Sequence, residues 1–100
     1  MRWSKILLSI SIAYSFTMTI SVADDYRNVE LLVSSCAACH GTQGHSVGGT
    51  PRLAGLDSLH FIEQMRQFTS EERPSTVMHH HATGYTEEEI KLMAEFFSKQ

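Results

Sequence analysis

Cys36-Ala37-Ala38-Cys39-His40 is the stretch that decides how this chain folds. Two cysteines three apart on a helical turn project toward the same edge, and the imidazole of the next residue can swing beneath whatever the two sulfurs hold. Upstream, Tyr26, Val29, Leu32 and Val33 recur at helical spacing as far as Cys36, with Asp24 or Asp25 placed to cap the helix that they trace. Downstream, Gly41, Gly44, Gly48, Gly49, Gly55 and Pro51 rule out a periodic element and predict an irregular loop that wraps around something.

Little chain is available for a core. Of the 100 residues, the first 23 read as an export signal: Arg2 and Lys5 precede an apolar stretch from Ile6 to Phe16, and Ser21-Val22-Ala23 predicts cleavage after Ala23. The run from Ile6 to Val22 is 17 residues with six Ser and Thr, short of the roughly 20 apolar residues of a membrane span. If retained, the signal would associate the protein with a membrane. The mature chain expected over 24–100 has six Lys and Arg against eleven Asp and Glu, a formal charge of −5 that argues against nucleic acid as a partner.

A domain below roughly 80 residues seldom stabilises itself with side chains alone. Export offers disulfides as the usual staple, yet Cys36 and Cys39 together would close a trivial loop. A redox C-x-x-C requires a βαβ pattern that is not found here, and a zinc site adding His79 and His81 has one intervening residue where three to five are usual. C-x-x-C-H on an exported chain predicts c-type haem attachment: one haem, two thioether bonds from Cys36 and Cys39, and His40 on the iron.

The sixth iron ligand separates an electron carrier from a binder of small molecules. Met1 and Met18 belong to the signal, while Met65 and Met93 lie on apolar helical stripes and read as core. Met78, expected in a loop, is the preferred ligand. One of His79, His80 and His81 is the alternative, in a bis-histidine site, although all three are expected to face solvent near the haem edge. Pro51 bends the loop and can aim a carbonyl at the second ring nitrogen of His40. His45 and His60 are given no role.

Asp57 caps a second helix with Leu59, Phe61, Ile62, Met65 and Phe68 on its apolar face, which runs to about Thr69 before Glu71–Pro74 stop it. Thr86 and Glu89 form a capping box for a last helix whose buried stripe is Ile90, Met93, Ala94 and Phe97. With no strand pattern of useful length, the expectation is an all-α domain of three to four helices wrapped around one covalently attached haem.

Cys36 to His40, Gly41, the run Pro51-Arg52-Leu53-Ala54-Gly55 and Met78 before a capped final helix together resemble a small class I cytochrome c over the whole mature chain. The resemblance implies that the first and last helices cross, setting Tyr26 and Val29 against Phe96 or Phe97. It implies further that the Pro51 carbonyl holds the haem histidine, that Leu53 packs on the haem, and that Met78 is the sixth ligand. Gly41-Thr42, Ser46-Val47-Gly48, Ser75-Thr76-Val77-Met78 and Gly84-Tyr85 narrow it to the cytochrome subunits of flavocytochrome c sulfide dehydrogenases. The run His79–His81 departs from that pattern. So does the lack of any tryptophan after Trp3, which leaves Tyr85 or Arg52 to serve a haem propionate.

The resemblance implies a periplasmic electron-transfer subunit, not an enzyme alone, that accepts electrons from an FAD-containing flavoprotein subunit and passes them to an acceptor such as another cytochrome. A free, diffusible mono-haem carrier is the alternative, and a haem sensor with an open sixth position a third.

Overall fold

The computed structural model describes residues 22–100, with side chains from residue 28 onward. The expected export signal over residues 1–23 therefore falls almost entirely outside the described residues, as does the side chain of Tyr26. Four α-helices follow in order: α1 Val22–His40, α2 Ser58–Thr69, α3 Met78–Ala82 and α4 Glu87–Ser98, with one 3-10 turn at Thr42–Gly44. No strand occurs among the described residues, so the all-α expectation holds. None of the described helices is long and apolar enough to cross a membrane.

The helix starts follow their capping chemistry. Asp57 accepts the His60 N–H at 3.0 Å to open α2. At α4, Thr86 Oγ1 accepts the Glu89 N–H at 3.2 Å and the Glu89 carboxylate accepts the Thr86 N–H at 2.8 Å, a complete capping box. Glu87, Glu88 and Glu89 also place negative charge in the first turn, where the helix dipole favours it. After α2 the chain reverses at Glu71, whose φ is 62°. Arg66 spans that reversal, pairing with Glu63 at 2.8 Å and Glu72 at 2.9 Å. Its hydrogen bonds hold both carboxyls below the ordinary carboxylate range.

Three expectations need correction. The first helix already includes Val22, so Asp24 and Asp25 lie within it instead of capping it. Leu59, assigned to the apolar face of α2, is 76% exposed because it stands in the first turn on the outer side. Met78 is not in a loop: it opens the five-residue α3, whose first turn is nucleated by the Val77 carbonyl accepting the His80 and His81 N–H groups. A helix of that length is too short to leave a periodic pattern in the sequence.

One core joins all four helices: Val29 and Val33 of α1, Phe61 and Met65 of α2, Ala82 of α3, and Met93, Ala94 and Phe97 of α4. The expected pairing of first and last helices is present, with Val29, Val33 and Phe97 in this cluster and Phe96 packed against it. Phe97 also meets Phe61, ring centroids 5.6 Å apart. The glycine loop is fastened to the same place. Gly44 accepts the Leu53 and Ala54 N–H groups at 3.0 and 3.1 Å, and Gly55 donates to the Phe97 carbonyl at 2.8 Å.

Gly44 has φ +78°, and a Cβ there would lie 2.8 Å from Ala54 N and 2.9 Å from a Phe97 ring carbon. Backbone strain and overpacking therefore act together at this position. Gly44→Ala is expected to lower stability by about 2–5 kcal/mol. A chemical denaturation midpoint compared with that of Gly48→Ala checks it, because a Cβ on Gly48 meets nothing within 4 Å.

Candidate functional site

The C-terminal end of α1, the glycine loop, α2 and the segment leading into α3 enclose a cavity of about 540 Å³. Cys36, Cys39 and His40 line it from α1, Pro51 and Leu53 from the loop, and Met78 from α3. The six candidate residues, drawn from three separate parts of the chain, thus converge on one space. Phe61, Met65 and Phe68 add an apolar wall from α2.

His40 is the fixed point. It is the one buried polar residue among those described, 9% exposed, and its Nδ1 lies 2.6 Å from the Pro51 carbonyl oxygen. A carbonyl can only accept, so Nδ1 carries the proton and Nε2 keeps a free lone pair. That is the tautomer required of a histidine that ligates a metal through Nε2. Gly41 lets the chain turn immediately afterwards: its φ is +83°, and a Cβ would lie 2.5 Å from the His45 carbonyl oxygen.

The two thiols are unpaired, Cys36 half-buried and Cys39 exposed. Burial pushes the Cys36 thiol above its ordinary range, partly opposed by a hydrogen bond from Ser35. Among the described residues, no three His, Cys, Asp or Glu side chains cluster as a metal-ion site would require.

The histidines after Met78 differ from one another. His80 and His81 are exposed, as expected, with His81 lining the cavity. His79 is not free in solvent: its ring is half-buried and Nδ1 lies 2.8 Å from the Phe68 carbonyl oxygen. Tyr85 is committed to α1 through Ser35 Oγ at 2.8 Å and the Leu32 carbonyl at 3.4 Å. Arg52 lines the cavity, together with Arg73, whose guanidinium sits 5.3 Å from the Phe68 ring centroid.

Sequence reasoning missed the wall formed by Phe61, Met65 and Phe68 and the part played by Arg73. The first three are spaced i, i+4 and i+7, a signal that was visible but assigned wholly to the core. On the amphipathic helix α2 the same stripe serves both the core and the cavity.

The contents of this cavity match the needs of a porphyrin tethered through two sulfurs: free thiols three apart, an imidazole with its outer nitrogen committed, a thioether, and apolar walls. An all-α chain built around such a site is a c-type cytochrome. Residues 28–100 match the family model for cytochrome c, and the chain belongs to that family. It is an electron-transfer protein with covalently bound haem c.

Among curated proteins, it is 46% identical over 68 residues to the "Cytochrome subunit of sulfide dehydrogenase" of Chlorobaculum tepidum, covering 68% of this chain and 62% of that one. The "Thiosulfate dehydrogenase electron acceptor" of Thiomonas intermedia is 35% identical, covering 66% of this chain and 31% of the relative. "Cytochrome c4" of Pseudomonas aeruginosa is 26% identical over 97% of this chain and 49% of its own length. The chain therefore spans between about a third and three-fifths of the length of these relatives.

Proposed function

We propose that this cytochrome is the electron-accepting partner of an FAD-containing, sulfide-oxidising flavoprotein, and that it passes electrons to a further carrier such as another cytochrome. The likeness to the sulfide dehydrogenase subunit carries the choice of partner. An exported, mature domain over 24–100, working in the periplasm, accords with the composition of the first 23 residues.

The site residues take definite roles. Cys36 and Cys39 hold the haem by thioether bonds, and His40 Nε2 and Met78 sulfur ligate iron. The Pro51 carbonyl accepts a hydrogen bond from His40 Nδ1–H, N···O 2.6 Å, which fixes the plane of the imidazole. Leu53 and the α2 wall exclude water from the ring, while Arg52 and Arg73 offer positive charge to the haem carboxylates. Bound there, haem c supplies one-electron exchange between Fe(III) and Fe(II) with no substrate bond broken at iron. Histidine–methionine ligation and apolar burial both favour the reduced state and raise the potential.

The observation that carries the ligand assignment is the 2.6 Å contact between His40 and Pro51 at a cavity shared with Cys36, Cys39 and Met78. Capture of the mature holoprotein from its source, assayed for bound flavin, tests the partner. A co-purifying flavoprotein that makes the cytochrome reducible by sulfide is the expected result. Reduction driven instead by a thiosulfate-oxidising partner would reassign the donor, in line with the second relative. A monomer indifferent to any flavoprotein would leave a free, diffusible carrier.

A further inference from the structure

We infer that His79 is a positioning residue for the sixth ligand: its imidazole straps the start of α3 to the end of α2 and so holds Met78 against the cavity. The inference rests on Met78 being that ligand.

Helix α3 has five residues, too few to be stable without outside support. Its first turn is held on both sides of one residue. The His79 backbone N–H donates to Ser75 Oγ at 3.1 Å, and the His79 ring Nδ1 donates to the Phe68 carbonyl at 2.8 Å. Phe68 is in the last turn of α2, and its carbonyl also accepts the Glu71 N–H at a longer 3.4 Å. The ring therefore gives that carbonyl a shorter second hydrogen bond while tying two elements together. Phe68, Ser75 and Met78 all line the cavity, so both anchors belong to its wall. Neither His80 nor His81 makes a side-chain hydrogen bond among the described residues, so the strap belongs to His79 alone.

Glu71 lies 3.9 Å from the other ring nitrogen and is 76% exposed. It adds little, because a solvated pair of that length is weak whatever the charge on the ring. The hydrogen bond to Phe68 is the connection that matters. A sulfur carried on an unstrapped five-residue helix would leave the iron more often, opening the sixth position to outside ligands.

The test uses the matured holoprotein and the variants His79→Ala, His79→Asn, His79→Gln and His80→Ala. An asparagine amide nitrogen falls near the place of Nδ1 and can still reach Phe68, whereas that of glutamine falls near Nε2 and cannot. The readout is the rate at which added imidazole displaces sulfur from ferric haem, followed by loss of the far-red absorption band. His79→Ala and His79→Gln are expected to exchange roughly tenfold faster than the parent, the size of one lost hydrogen bond. His79→Asn is expected to recover most of the parental rate, and His80→Ala to match the parent.

Should His79→Ala not mature, the asparagine and glutamine pair decides alone. Equal rates for those two, or a His80→Ala rate raised as much as that of His79→Gln, would overturn the strap. A parent protein without the far-red band would instead show that Met78 is not the ligand, a distinct failure that removes the premise.

Discussion

Replacing Met78 with alanine is expected to erase the far-red band of sulfur-ligated ferric haem and to lower the midpoint potential sharply. The thioether is a soft, neutral donor that favours the reduced iron, and among the described residues no other methionine stands in an equivalent place. Met93 is 0% exposed within the core, and Met65, though it reaches the cavity wall, is 5% exposed and packed among core residues of α2. Neither can move to the iron without opening the hydrophobic cluster. The fall should be a sizeable part of the roughly 0.8 V over which axial ligands set haem potentials. Potentiometric titration and ferric absorption spectra check both parts. An unchanged band would transfer the ligand role to another residue, and a new low-spin spectrum without the band would point to His81, which lines the same cavity.

The second large effect is structural. Phe97→Ala is expected to cost about 3–5 kcal/mol, as for a fully buried phenylalanine whose space cannot collapse. Phe97 is 1% exposed and stands where three connections meet: its ring packs on Phe61 and Phe96, its carbonyl accepts the Gly55 N–H, and Gly44 closes against it. Domain stabilities are about 5–15 kcal/mol, so this one change removes a large share. Guanidinium unfolding followed by haem absorbance measures it, and Leu59→Ala should change the stability by less than about 0.5 kcal/mol because Leu59 is 76% exposed. A Phe97→Ala midpoint close to that of Leu59→Ala would contradict the place given to α4.

Much of the architecture was legible because it depends on local chemistry. The caps Asp57 and Thr86–Glu89 act over three residues, and the stripe Met93, Ala94 and Phe97 repeats at the helical period. The proposed attachment at Cys36, Cys39 and His40 is equally local. Helix α3 was missed because it owes its existence to contacts elsewhere: the Ser75 hydroxyl, the Phe68 carbonyl and the burial of Ala82 to 1%. The histidine run was misjudged in part for the same reason, since nothing in three identical neighbours says which ring will find an acceptor eleven residues away.

What the amino-acid order determined on its own was the cofactor class and the three longer helices, since covalent attachment and capping need only residues within a turn of one another. Only the tertiary structure decided that Pro51 meets His40 at 2.6 Å, that the stripe of α2 serves both core and cavity, and that His79 closes on Phe68 at 2.8 Å. Each joins parts of the chain eleven or more residues apart or turns on which face of a helix is covered. Such pairings follow from how helices pack around a shared space, which no short window of sequence contains.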